Sequence, residues 1–199
     1  MNNGKMTRRA LVLGSLGLAA TGCTPVVRQA FEPITTGFTG EPAGIAPRLR
    51  KQRVAYSTSE PPGTIVVNTY ERYLYAVEPD GMATRYGIGV GEEGLSLKGR
   101  ASIGRKEEWP SWTPTASMMK RKPRLLQYAG GVPGGPDNPL GAAALYLYRG
   151  NQDTMFRVHG TNEPWSIGRA VSNGCIRLTN QDAVDLYERT PLGTPVVII

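Results

Sequence analysis

From Thr64 onward the apolar residues come in short runs rich in β-branched and aromatic side chains. TIVVN, ERYLYAV and ATRYGIGVG follow one another with turn material between them, Glu78-Pro79-Asp80-Gly81 above all, which is the pattern of a meander of strands. In the second run Tyr73, Tyr75 and Val77 alternate with Leu74 and Ala76, so both faces are partly apolar and a central strand is predicted. AAALYLY, MFRVHG and Ile176 to Leu178 predict further strands, and the closing TPVVII a buried one. One stretch changes to a helical period. Thr179 with Asp182 three residues on marks a helix start, Ala183, Val184 and Tyr187 share a face, and Pro191 with Gly193 ends it. Between these elements, residues 100–124 form a long irregular stretch with two tryptophans, predicted to be a lid or binding loop, and GGVPGGPDNPLG is turn-rich.

Composition agrees with a mainly β reading. The 199 residues, 40% hydrophobic, suffice for a single domain and a tail, and 25 glycines with 16 prolines favour many turns over a helical bundle. The domain is assigned to 54–199. Residues 24–53, with four prolines and no sustained apolar period, read as a linker or pro-region.

The net charge of +7 suggests nucleic acid until it is divided by position. Residues 1–23 carry +3, and 24–53 have five basic against two acidic residues, again +3. From Val54 onward 15 basic residues face 14 acidic ones, so the domain itself is nearly neutral. Lys120, Arg121, Lys122 and Arg124 cluster without interleaved aromatics and read as a solvated loop, so no nucleic-acid partner is expected.

MNNGKMTRRALVLGSLGLAATGC has a basic start, an apolar run from Ala10 to Ala20 and then small residues, the layout of a secretory signal peptide over 1–23. Thr7-Arg8-Arg9 before Leu11 and Val12 resembles a twin-arginine signal. Ala20-Thr21-Gly22-Cys23 resembles a lipoprotein processing box in which Cys23 is lipidated, with ordinary cleavage at the same small residues as the alternative. The expectation is an exported, periplasmic protein, with membrane anchoring through Cys23 if the box is used.

Export also sharpens the chemistry. The chain has two cysteines and one histidine. Cys23 is either lipidated or removed, so Cys175 is left as an odd thiol in an oxidising compartment. A thiol is a nucleophile as its thiolate, and a neighbouring imidazole can take the proton. His159 ends a predicted strand. Cys175 follows Asn173-Gly174, residues suited to a tight turn, and the amides of Gly174 and Cys175 are candidates for an oxyanion hole. From composition alone a core or surface histidine and an inert buried thiol are the usual readings, and the spacing brings the catalytic reading level with them. One histidine and one available cysteine are too few for a usual zinc site, and no metal or cofactor is expected.

The segment His159-Gly160-Thr161-Asn162, Ser166-Ile167-Gly168 and Val171-Ser172-Asn173-Gly174-Cys175-Ile176-Arg177-Leu178 resembles the signature of the L,D-transpeptidases, the YkuD-like domain of bacterial cell-wall enzymes. Pro62 to Asn68, Tyr86 to Gly91, Ile103 to Lys106, Trp109 to Pro114 and Pro136 to Gly141 also resemble that family. The resemblance implies a YkuD-like β-sandwich with one or two short helices. It further implies that Cys175 attacks a peptidoglycan stem tetrapeptide before its terminal D-alanine, with the resulting thioester passed to an acceptor amine of a wall peptide or a lipoprotein. By the same resemblance His159 is general base and acid, Gly174 belongs to the oxyanion site, Gly160 orients His159 through its backbone carbonyl, Ser172 lines the site, and Arg177, Asn173 and Thr161 bind substrate. Pairing with a nearby acid is the alternative for Arg177. Hydrolysis at the same site and an inactive wall-binding module are the alternative functions. Many relatives carry a second histidine where this chain has Asn173, which can give a hydrogen bond but take no proton.

Overall fold

The computed structural model describes residues 44–92 and 95–199. The leader, the Cys23 box and the linker up to residue 43 lie outside the described residues. The strands are β1 (Gln52–Ala55), β2 (Ile65–Asn68), β3 (Tyr73–Val77), β4 (Met82–Gly87), β5 (Val90–Gly91), β6 (Gly99–Glu108), β7 (Ala143–Arg149), β8 (Gln152–His159), β9 (Ala170–Ser172), β10 (Ile176–Arg177) and β11 (Pro195–Ile198). The helices are α1 (Ala116–Arg121) and α2 (Asn180–Arg189).

Nine strands form one mixed sheet in the order β1-β4-β3-β2-β11-β6-β7-β8-β10, and β5 pairs with β9 apart from it. The meander is present as β2-β3-β4, with Asp80 and Gly81 at positive φ in its second turn, and β3 is indeed central. The expected third run is divided. β4 stops at Gly87, and Val90–Gly91 leaves to pair in parallel with β9, beside the Cys175 turn. β11 closes the chain between β2 and β6, parallel to the first and antiparallel to the second.

One connected core joins Ile65, Leu74 and Tyr86 from one half of the sheet to Leu145, Val158 and Ile176 from the other, with Ala183, Val184 and Leu186 of α2 between them. Each such aliphatic side chain, fully withdrawn from water, contributes roughly 1.5–3 kcal/mol. The domain is therefore a mainly β sandwich with few helices. At the start of α2, Thr179 Oγ1 accepts the Asp182 N–H at 3.1 Å, the cap that the sequence pattern predicts.

Two expectations change. Residues 99–108 of the stretch predicted as irregular are a ten-residue strand, β6, with neighbours on both sides. Its pattern is hidden because Ile103 is its one fully buried large side chain, and a bulge between Ile103 and Arg105 breaks the alternation. Gly104 is required there, since a Cβ would lie 2.4 Å from the Tyr148 ring. The polar residues of β6 still pack: Arg105 lies over Tyr146 and Lys106 over Tyr187. The stretch expected as linker also reaches into the fold at its end. Ile45 and Leu49 are buried with Ile167, and β1 starts at Gln52 to pair with β4, because an edge strand needs little apolar surface of its own.

Candidate active site

His159 is the last residue of β8 and Cys175 stands immediately before β10. The two strands are parallel, with Ile176 opposite Val158 and Arg177 opposite His159. Side chains alternate along a strand, so Cys175 and Arg177 share a face with Arg157 and His159, and Cys175 lies diagonally from the imidazole. His159 is 3% exposed and its Nδ1 is 2.5 Å from Gly160 O. Burial first, and then the Arg177 charge, lower its pKa from 6.5 to about 3, against the pull of the Gly160 and Leu140 carbonyls. The ring is neutral, and the Gly160 carbonyl favours the proton on Nδ1, which leaves Nε2 as the basic nitrogen.

Cys175 is partly exposed and is a free thiol. Burial raises its pKa, while the Arg157 N–H and the charges of Arg157 and Arg177 lower it in part. The resting pair is thus thiol and neutral imidazole, not thiolate and imidazolium.

The turn that presents Cys175 is built from its own backbone. Ser172 Oγ donates to Cys175 O at 2.6 Å and accepts the Gly174 N–H at 3.1 Å. The Gly174 amide expected for an oxyanion hole is therefore used by the turn, and Ser172 acts as its brace. Gly174 has φ +122°, and a Cβ there would lie 2.5 Å from Leu95 O. Gly89 exchanges backbone hydrogen bonds with Arg177, and Glu92 N donates to Ser172 O, so the chain around β5 clamps both sides of the turn.

The substrate-binding expectations divide. Arg177 Nη1 pairs with Glu163 at 2.7 Å, the alternative that the sequence left open, although its charge still acts on both His159 and Cys175. Asn173 Oδ1 is buried without a hydrogen-bond partner among the described residues, as is Arg177 Nε. Thr161 does not reach the site: it is 3% exposed and its Oγ1 accepts the Glu163 N–H at 3.0 Å. A hydroxyl two residues before an N–H makes this local turn readily.

A cavity of about 180 Å³ opens over Cys175. Trp112, Thr115 and Met118, from the segment between β6 and β7, wall one side. The Trp112–Val132 bridge and the Thr115 cap on the Met118 N–H give that segment its form. His159 is buried and does not line this cavity, so of the pair it is Cys175 that faces it.

Sequence reasoning missed Asn180. Its Oδ1 accepts the Ala142 N–H at 3.1 Å and the Thr161 N–H at 3.0 Å, pinning the segment whose Gly160 carbonyl holds His159. Gly141 and Gly160 let it approach, since a Cβ at either would lie 2.0 or 2.3 Å from that oxygen. Asn180→Ala should cost about 2–4 kcal/mol by leaving two amides unpaired, read as a lower urea midpoint, whereas Asn180→Asp keeps the acceptor and should lose less. Equal stability of Asn180→Ala and wild type would remove this role. Only the position just after the Thr179 cap signalled it in the sequence.

The model of the L,D-transpeptidase catalytic domain, YkuD, matches residues 62–198. A probable L,D-transpeptidase of Escherichia coli, ErfK/SrfK, is 40% identical over 142 residues, which is 68% of this chain and 43% of that protein. The chain thus spans less than half the length of that curated relative. A putative L,D-transpeptidase of Fuscovulum blasticum is 32% identical over 201 residues, 96% of each chain. A crystal structure from Brucella melitensis, described as a probable carnitine operon oxidoreductase, is 49% identical with a TM-score of 0.53, covering 78% of this chain and 96% of that one.

Proposed function

The chain belongs to the L,D-transpeptidase catalytic-domain family, and from that premise we propose that it is a peptidoglycan L,D-transpeptidase with Cys175 as nucleophile and His159 as base and acid. The observation that carries this reading is Cys175 at the floor of the cavity with a neutral imidazole diagonal to it on the same sheet face. The Cys175 proton passes to His159 Nε2 as sulfur attacks the carbonyl carbon of the third stem residue. Collapse of the tetrahedral intermediate breaks the bond to D-alanine, whose nitrogen leaves with the proton from His159. An acceptor amine then attacks the thioester, gives its proton to His159 and releases Cys175 as the thiol. Because Ser172 occupies the Gly174 amide, the Cys175 N–H is the remaining candidate of the two for the oxyanion. Arg177, paired with Glu163, acts on the reacting pair through its charge.

Aminolysis is proposed over hydrolysis because the similar proteins are described as transpeptidases. The oxidoreductase wording attached to the Brucella protein brings no second reading. Gly89, Gly91 and Gly94 have the spacing of a dinucleotide fingerprint, yet the chain from Leu95 to Lys98 forms no helix for a pyrophosphate to rest on. No helix of the described residues is long and apolar enough to cross a membrane. Export to the periplasm is proposed from the leader sequence, with lipid anchoring at Cys23 if the Ala20–Cys23 box is used rather than ordinary cleavage at the same small residues.

Incubation of the protein with tetrapeptide muropeptides, with and without an added D-amino acid or tripeptide amine, tests the reaction. The expected products are exchanged or cross-linked peptides that require the amine. Release of tripeptide at the same rate without it would replace transpeptidation by hydrolysis.

A further inference from the structure

Arg105, Tyr146 and Arg157 are register partners across three adjacent strands: β6 sets Arg105 opposite Tyr146, and β8 sets Arg157 opposite Tyr146. Directly opposed residues project from the same face. Cys175 continues the row, because Ile176 pairs with Val158 and the residue before it falls beside Arg157, whose N–H reaches the sulfur. One rung of the sheet therefore reads Arg105, Tyr146, Arg157, Cys175, and all four line the same cavity.

Both guanidiniums rest on the Tyr146 ring, with Arg105 Cζ at 3.5 Å and Arg157 Cζ at 4.5 Å from its centroid. Their counter-charges stand aside. Asp153 takes both terminal nitrogens of Arg157 and opens on the neighbouring cavity, and Glu107 is turned to Tyr146 Oη and to Arg105 Nη1. Arg157 is thus a fixed, mostly buried cation with a side chain 12% exposed. The Arg105 side chain is 48% exposed, and with Nη1 on Glu107 it keeps its Nε–Nη2 edge for an incoming group.

We infer that Arg105 is a specificity-determining residue that takes a substrate carboxylate at the far end of this rung from Cys175. The inference rests on the transpeptidase reading and deepens it. The strand of Tyr146, over which Arg105 lies, is two strand spacings from that of Cys175, about 10 Å. A terminal carboxylate one residue past the scissile carbonyl spans at most ~3.6 Å, so the distance suits an acid at the end of a long side chain on the third residue, as in a diamino diacid. The Tyr146 ring fixes the guanidinium laterally, and Arg157, itself held by Asp153, packs on the same ring from the next strand.

The test is equilibrium binding, by calorimetry, of three tetrapeptides to the Cys175→Ala protein, in which no chemistry follows. The peptides carry diaminopimelate at the third position and are unmodified, amidated on the side-chain carboxyl, or amidated at the C-terminus. Arg105→Met, which keeps the stem on Tyr146, should weaken the unmodified peptide about tenfold and leave the side-chain amide unchanged, and Arg105→Lys should recover part of the loss. If the C-terminal amide is the insensitive one, the terminal carboxylate is the ligand and the assignment to the third-residue side chain is overturned. Equal loss on all three peptides, no loss on any, or no measurable binding of the unmodified peptide at millimolar concentration overturns the inference. Acylation of wild-type Cys175 by the unmodified peptide reports separately on the reading beneath it.

Discussion

Cys175→Ala should abolish acyl transfer and leave the fold in place. The sulfur meets the cavity directly, and the hydroxyl nearest to it in sequence, Ser172 Oγ, is committed to the backbone of the turn and is not free to substitute. The turn does not depend on the thiol, because Ser172, Gly174 and the clamp around Gly89 are untouched by the change. Removing one sulfur from a partly exposed position should alter stability by about 1 kcal/mol or less. Turnover of muropeptides should fall to background while the melting temperature stays within a few degrees. A residual rate above about a hundredth of wild type would take the nucleophile's role from Cys175.

His159→Gln should slow acylation by about 10²–10⁴-fold, the range that a positioned proton acceptor contributes. Glutamine can still hydrogen-bond Gly160 but cannot receive the thiol proton. The pH dependence separates this from a merely structural loss. The imidazole's pKa in the fold lies near 3, below its ordinary 6.5, so the base stays unprotonated through the mildly acidic range. The acid limb of kcat/KM should therefore fall well below pH 6.5. Stability follows the same shift. Below pH 6.5 the unfolded chain takes up a proton on His159 that the folded chain refuses until about pH 3. The contribution is thus fully present above 6.5 and is lost as pH falls through that window. Urea midpoints at pH 7 and pH 4.5 should differ more for wild type than for His159→Gln. An acid limb centred near 6.5 would contradict the buried neutral ring.

What could be read from the sequence depended on whether a residue acts through its type or through its place. β2, β3 and β11 were legible because their side chains fill the core and carry the alternation themselves. β6 was not, because its neighbours supply the pairing and its second half runs Arg105, Lys106 and two glutamates, polar on both faces. Ala83 to Gly91 reads as one strand, but Gly89 and Gly91 lie against Ser166 O and Gly174 Cα, approaches that a Cβ would block at 2.8 Å, and this contact draws β5 away to the site. Cys175 and His159 stand out by scarcity and motif. Thr161 shares the motif, yet its hydroxyl serves a turn. Asn180 was silent and Arg105 showed only as part of the family-like segment Ile103 to Lys106, since one works through backbone amides brought from residues 142 and 161 and the other through cross-strand register.

The central claim, that Cys175 forms a thioester with a stem peptide, is tested most directly by intact-protein mass spectrometry after incubation with a disaccharide tetrapeptide and acid quenching. The predicted result is an added mass equal to the disaccharide tripeptide acyl group, with one D-alanine released per adduct, mapped by proteolysis to the peptide containing Cys175 and absent from Cys175→Ala. An adduct of the same mass on another residue, or cross-linked product accumulating with no adduct on Cys175 at any time point, would contradict it.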